Sequence, residues 1–201
     1  MIATPDKAQD FSSIEFFSVP FPYFFSPAAL TEETSLLVLE WLENCTSWKL
    51  KETDFYEQHE FSFWDVELPA RLSFLKGVDF LNTLKKGVEE LFGVRLQKRL
   101  DFTAHKLVQG QRIRLHNDYI PGCESHRLLV QLNRGWTDEN GGMLMFFNSS
   151  DPTDIHKIFY PLHNSAVGFA ISADSNHAVS TIYGGERFTL VYSFYAEEEH
   201  V

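Results

Sequence analysis

Cysteine is scarce in this sequence: Cys45 and Cys123 are the two present, and they form no Cys-x-x-Cys pair. A disulfide framework is excluded as the basis of the fold, and reduced thiols in a cytoplasmic setting are the expectation. Cationic charge is in deficit as well. Seventeen Lys and Arg stand against 28 Asp and Glu, a formal net charge of −11. Such a balance repels phosphate backbones, so nucleic acid is not expected as a partner. No uninterrupted apolar run approaches the roughly 18 residues of a membrane-crossing helix. The first apolar stretch, Phe16–Phe25, is broken by Ser18, Pro20 and Pro22, so neither a signal peptide nor a membrane span is expected. With 11 Gly and 8 Pro, the chain is not a low-complexity or disordered one.

Phenylalanine, in contrast, is abundant, with 19 in 201 residues. That length suits a single domain with a substantial core, and the rings predict a core of large flat side chains. Charge is unevenly spread. Ten acidic residues lie between Thr31 and Ala70 against Lys49 and Lys51, whereas Arg95, Lys98, Arg99, Lys106, Arg112 and Arg114 cluster further on. A solvated surface is the default for the acidic stretch; attraction of a cationic substrate or basic segment is the alternative.

Residues 1–10 read as a polar arm. The aromatics and prolines of Phe11–Phe25 fit an extended edge segment covering one side of the core. A helix opens either at Ser26-Pro27 or at Thr31-Glu-Glu and runs through Leu36, Leu37, Leu39, Trp41 and Leu42 to about Asn44. Trp48–Glu67 has no clean period and reads as strand and loop over a pocket. Phe80, Leu81, Leu84, Val88, Leu91 and Phe92 recur at helical spacing, and Gly93 stands where a left-handed cap belongs.

Beyond Gly93 the pattern changes to short strands separated by turns: Val94–Leu107, Gln111–His116, Arg127–Asn133, Met143–Asn148, Ala166–Ser172 and Phe188–Phe194. Helices first and strands afterwards predict an α+β fold whose antiparallel sheet carries the chemistry. The division expected is one domain over 1–201, with a helical and aromatic support region at 1–93 and a strand-built core at 94–195.

The chemistry-bearing residues are His116-Asn-Asp118, then His177, then Arg187-Phe-Thr189. Alternate strand residues share a face, so His116 and Asp118 can address one point. Two imidazoles and a carboxylate with open positions beside them form the ligand set that suits Fe(II) in oxygen chemistry. Arg187 within a strand needs a carboxylate partner, because an unpaired buried guanidinium is costly. Thr189 shares its face. By the same parity Arg114 accompanies His116 toward the mouth of the site, and Tyr119 and Trp136 lie on loops beside it. These three are candidate substrate contacts; packing, loop anchoring or a salt bridge is the plainer role for each. His59, His105, His126, His156, His163 and His200 show no metal spacing with a carboxylate.

Residues 103–195 resemble the Fe(II)/2-oxoglutarate-dependent oxygenases, and within them the prolyl-4-hydroxylase-like branch. The resemblance is carried by His116-Asn-Asp118, Leu128–Asn133, Trp136, Asn140–Phe147, Asn164–Ser172, His177–Val179 and Gly185–Thr189. It implies a double-stranded β-helix, or jelly roll, with supporting N-terminal helices. It also implies Fe(II) on His116, Asp118 and His177, 2-oxoglutarate held by Arg187 with Thr189 and Gln131, O2 as the second co-substrate and ascorbate as a supporting reductant. Where related enzymes commonly have a Tyr reaching the co-substrate, this sequence has His105-Lys106. Asp118 keeps the carboxylate, which favours hydroxylation over halogenation. The activity implied is hydroxylation of an aliphatic C–H of an amino acid, peptide or related small substrate. The alternatives are a prolyl or other residue hydroxylase acting on a protein side chain, and a cupin-like metalloenzyme that does not use 2-oxoglutarate.

Overall fold

The computed structural model describes residues 9, 11 and 13–197; the polar arm expected at the start lies outside the described residues except for Gln9. Two short strands come first, β1 (Glu15–Phe17) and β2 (Tyr23–Ser26), followed by α1 (Glu32–Asn44). Of the two openings for α1, Thr31 is the cap: its side chain accepts from the Thr34 N–H, while Ser26 ends β2. A hairpin of β3 (Lys49–Glu52) and β4 (Glu57–Ser62) leads through 3-10 turns to α2 (Val78–Phe92). Gly93 closes α2 in the left-handed conformation (φ 67°), where a side chain would be strained.

Eight strands follow: β5 (Leu96–Leu107), β6 (Ile113–His116), β7 (His126–Gln131), β8 (Leu144–Phe147), β9 (Ile155–Phe159), β10 (Ala166–Ala170), β11 (His177–Val179) and β12 (Arg187–Ala196). They build two antiparallel sheets, one ordered β1-β2-β10-β7-β12-β5-β4-β3 and the other β6-β11-β8-β9. Strand β9 escaped the sequence pattern because solvent faces most of its residues, leaving no apolar alternation to read, whereas β3 and β4 fall in the Trp48–Glu67 stretch read as strand and loop.

Burial explains the layering. Leu128, Val130, Leu190, Tyr192 and Phe102 turn to one face of the large sheet and pack on Val38, Leu39 and Leu42 of α1 and Phe80, Leu84 and Val88 of α2. Their neighbours Leu129 and Val191 turn to the other face, where they meet Leu144, Phe146, Phe159 and Val179 of the small sheet. The central strands of the large sheet are thus buried on both faces, and the space between the sheets is a jelly-roll interior with one open end. No helix among the described residues is long and apolar enough to cross a membrane.

Candidate metal centre

At that open end β6 and β11 pair so that His116 lies directly opposite His177, with ring centroids 4.2 Å apart. Asp118 follows on the loop, in a left-handed backbone conformation (φ 58°) that swings its side chain back between the imidazoles. Asp118 Oδ2 lies 3.4 Å from His116 Nε2 and 3.1 Å from His177 Nε2. Ligand atoms of the three residues all fall within 4.8 Å of one another, and among the described residues they form the one such group of His, Cys, Asp and Glu.

Each imidazole has its other nitrogen committed. His116 Nδ1 is 2.7 Å from the Arg114 carbonyl and His177 Nδ1 is 2.7 Å from the Ser175 carbonyl, so both Nδ1 atoms carry the proton. The Nε2 lone pairs then point at a carboxylate oxygen, an electron-rich convergence that a cation resolves. A backbone carbonyl fixing the far nitrogen is the arrangement by which proteins orient a metal-binding imidazole. The protonation tendencies agree. Burial alone would raise the Asp118 carboxyl, but the adjacent His116 and His177 side chains and the charge of Arg127 outweigh it and hold the group far below the usual carboxylate range. Burial, with the nearby His116, lowers His177 and keeps it neutral.

The three residues line a cavity of about 250 Å³ whose inner wall is Arg187, Thr189, Val191, Thr103, His105 and Leu129. Arg187 is 2% exposed. It donates from Nη1 to Thr189 Oγ1 at 2.9 Å, and Thr189 donates in turn to Gln131 Oε1 at 3.0 Å. Its Nε has no partner, and no carboxylate of the described residues forms an ion pair with it. Desolvation brings its pKa down to about 10, which still leaves it charged at neutral pH. A fixed, unneutralised guanidinium at the end of a cavity fits an organic dianion reaching in from the metal. Gln131, buried and outside the cavity lining, acts by aiming the Thr189 hydroxyl.

The sequence expectations for the mouth need correction. Arg114 is exposed and sits over the 53–57 turn, its backbone N–H bonded to the Phe55 carbonyl. It lines a separate recess with Glu52 and Asp54. The reason is a bulge: His177 opposes His116 while Val179 opposes Ile113, so three steps along β6 match two along β11. Ile113 and His116 both face the cavity, and Arg114 is turned out. Tyr119 is 46% exposed and does not line the cavity. Trp136 is a packing residue beneath Arg187: it is 9% exposed, clusters with Leu107 and Ile182, and donates its indole N–H to the Gly141 carbonyl at 2.8 Å.

Other residues were missed. Arg127 on β7 reaches the Asp118 carboxylate through Nη1 and grips Glu124 with Nε and Nη2 at 2.9 and 2.6 Å. Strand parity with Leu129 and Gln131 was the available signal. His105 rather than Lys106 faces inward, opposite Thr189 on β12 and Glu60 on β4; burial lowers its pKa to about 4 against the opposing charge of Glu60, so it is neutral. Lys106 points outward to Glu186 at 3.2 Å. The β3–β4 hairpin supplies the outer wall: Phe55 lies 4.8 Å from the His116 ring, and Lys51 pairs with Glu60 at 3.0 Å.

Comparison with known proteins bears on the family and the fold. The sequence profile described as the 2OG-Fe(II) oxygenase superfamily matches residues 102–194. Among solved structures, a Pseudomonas putida prolyl-4-hydroxylase is similar with a TM-score of 0.64 at 16% identity, covering 82% of this chain and 86% of that one. The viral collagen prolyl hydroxylase of Paramecium bursaria Chlorella virus-1, in its 2OG complex, gives 0.64 at 13% over 87% and 96%. A Trichoplax adhaerens prolyl hydroxylase in complex with a hypoxia inducible factor peptide fragment gives 0.63 at 13% over 86% and 83%. No curated protein matches the chain.

Proposed function

We propose, for a chain that belongs to the 2OG-Fe(II) oxygenase superfamily through residues 102–194, that it hydroxylates an aliphatic C–H of an amino acid, a peptide or a related small substrate, with Fe(II) held by His116, Asp118 and His177. The observation that carries the co-substrate assignment is Arg187: a buried guanidinium with an unpartnered Nε in the cavity that the three ligand side chains enter. Fe(II), when bound with 2-oxoglutarate and O2, supplies the oxidative decarboxylation to succinate and CO2 that delivers one oxygen atom to the substrate.

The chain's own residues do the rest. Arg187 binds the far carboxylate of 2-oxoglutarate, and Thr189, which accepts from Arg187 and donates to Gln131, holds the guanidinium in line. His105, neutral and inward-facing, borders that carboxylate without adding charge. Leu129, Leu144, Val179 and Val191 keep the floor apolar and exclude water from the reacting centre. Phe55 and Tyr56 wall the mouth with rings, and Lys51 and Glu60 put one charge of each sign beside it. That combination supports a substrate with amino-acid character, whose ammonium and carboxylate, or peptide equivalents, have partners there. The prolyl hydroxylase likenesses support the protein-side-chain alternative, and the open mouth accommodates an extended segment.

The test is anaerobic addition of Fe(II) and 2-oxoglutarate to the purified protein. A weak visible charge-transfer band is expected, followed in air, with ascorbate present, by succinate formation that rises with the correct amino acid or peptide. Folded protein that gives neither band nor succinate sinks the assignment.

A further inference from the structure

Resting on the metal-centre reading above, we infer that Arg127, oriented by Glu124, is the positioning residue that holds the Asp118 carboxylate for metal capture. Asp118 alone of the three ligands stands on a loop, in a left-handed backbone conformation (φ 58°) that a non-glycine residue adopts only when its surroundings fix it. No strand ladder steadies it. Arg127, in contrast, lies on β7 between two neighbours, opposite Phe169 of β10 and Ser193 of β12, so its backbone is held by a strand ladder on each side.

The guanidinium is itself locked. Nε and Nη2 take both oxygens of Glu124, a fork-to-fork pairing that fixes the guanidinium plane, and Nη1 is left directed at Asp118. The chain from β7 through Arg127 to Asp118 transfers the rigidity of the large sheet to a loop residue facing the two histidines of the small one.

Charge explains why Glu124 belongs to the arrangement. An arginine beside a metal site repels a dication, and Arg127 alone would cancel the Asp118 charge that draws the metal in. Glu124 restores it: the group Asp118, Arg127 and Glu124 sums to −1, the charge of an isolated carboxylate ligand. A guanidinium stays protonated at every working pH, and the acids on both sides of Arg127 match its charge. With both acids on it, Arg127 has no charge left over to anchor a substrate carboxylate.

The test is titration of metal-free protein with Co(II), followed by its d–d absorption, and with 2-oxoglutarate at saturating Co(II). Arg127→Met should weaken Co(II) binding 10- to 100-fold, the usual effect of removing a group that orients a ligand, and alter the d–d spectrum, while 2-oxoglutarate affinity moves less than threefold. Arg127→Lys should recover part of the loss. Glu124→Gln, which keeps shape and leaves the cation uncancelled, should weaken Co(II) about tenfold and serves if Arg127→Met does not fold. Co(II) affinity within twofold of the parent in folded Arg127→Met or Glu124→Gln overturns the inference. So does an effect confined to substrate KM, which would make Arg127 a substrate anchor. If the parent protein itself binds no Co(II), the metal-centre reading fails and this one with it.

Discussion

Arg187 says more about the reaction than the metal ligands do, because a His-Asp-His group serves many metal chemistries whereas a buried cation without an acid has to be explained by something that arrives. The same logic gives opposite signs for two measurements on Arg187→Met. Loss of a desolvated charge partner costs about 2–5 kcal/mol of binding, so 2-oxoglutarate affinity should fall at least roughly 30-fold. The ligand-free protein should melt no lower than the parent, since the substitution removes a buried guanidinium whose Nε lacks a partner. A large drop in the ligand-free melting temperature with unchanged 2-oxoglutarate affinity would mark Arg187 as a structural residue instead. At this scale the sequence was legible where chemistry restricts residue type. His116, Asp118, His177 and Arg187 could be picked out by kind and spacing. Arg127 shared strand parity with Leu129 and Gln131, but no spacing in the sequence placed its guanidinium beside Asp118.

Elements were legible where burial imposes a period. The apolar stripe and Gly93 cap of α2 and the apolar runs of β7 and β12 follow from sequence, which left the opening of α1 between Ser26-Pro27 and Thr31. The β6 bulge does not: one extra residue reverses the facing of Arg114 without changing any residue type, and parity then points the wrong way. The Asn140-Gly-Gly segment was recognisable as a turn, but its function emerges only from contacts. Gly142 (φ 69°) sits under Arg187, where an added Cβ would lie 3.0 Å from Arg187 Cδ and 3.2 Å from the Trp136 ring. Both glycines of the pair keep backbone and rings close enough for the Trp136 bond to Gly141. Gly142→Ala should therefore cost about 1–3 kcal/mol through overpacking and backbone strain and weaken 2-oxoglutarate binding several-fold by displacing the guanidinium. Gly87→Ala is the control: its Cβ meets nothing within 4 Å in the interior of α2, and it should stabilise by about 0.5–1 kcal/mol. Thermal melts paired with 2-oxoglutarate titrations on both variants decide; equal behaviour of the two would remove Gly142 from the account of the site.

For the whole molecule, what matters is that the two sheets contribute different ligands. His116 and His177 belong to the small sheet, whereas Asp118 is tied through Arg127 to the large one, as are Arg187 and Thr189 on β12. A metal therefore links the small sheet to the loop fastened on the large one, and 2-oxoglutarate then links the metal to β12. Ligands that bind only the folded state stabilise it by mass action, about 2.7 kcal/mol at a hundredfold excess over Kd. For a chain of this size that raises the melting temperature by roughly 5–10 °C. The order of addition carries the information. Co(II) alone should raise the melting temperature, chelator should return it, and Co(II) with 2-oxoglutarate should raise it further. 2-Oxoglutarate alone should do little, because Arg187 then holds one carboxylate while the other has no metal to meet. Asp118→Ala should abolish the Co(II) response while leaving the ligand-free protein folded, since Arg127 keeps its two bonds to Glu124. A full 2-oxoglutarate response in chelator would mean that the acid binds to the large sheet through Arg187 without the metal, and the proposed link between the sheets would fail.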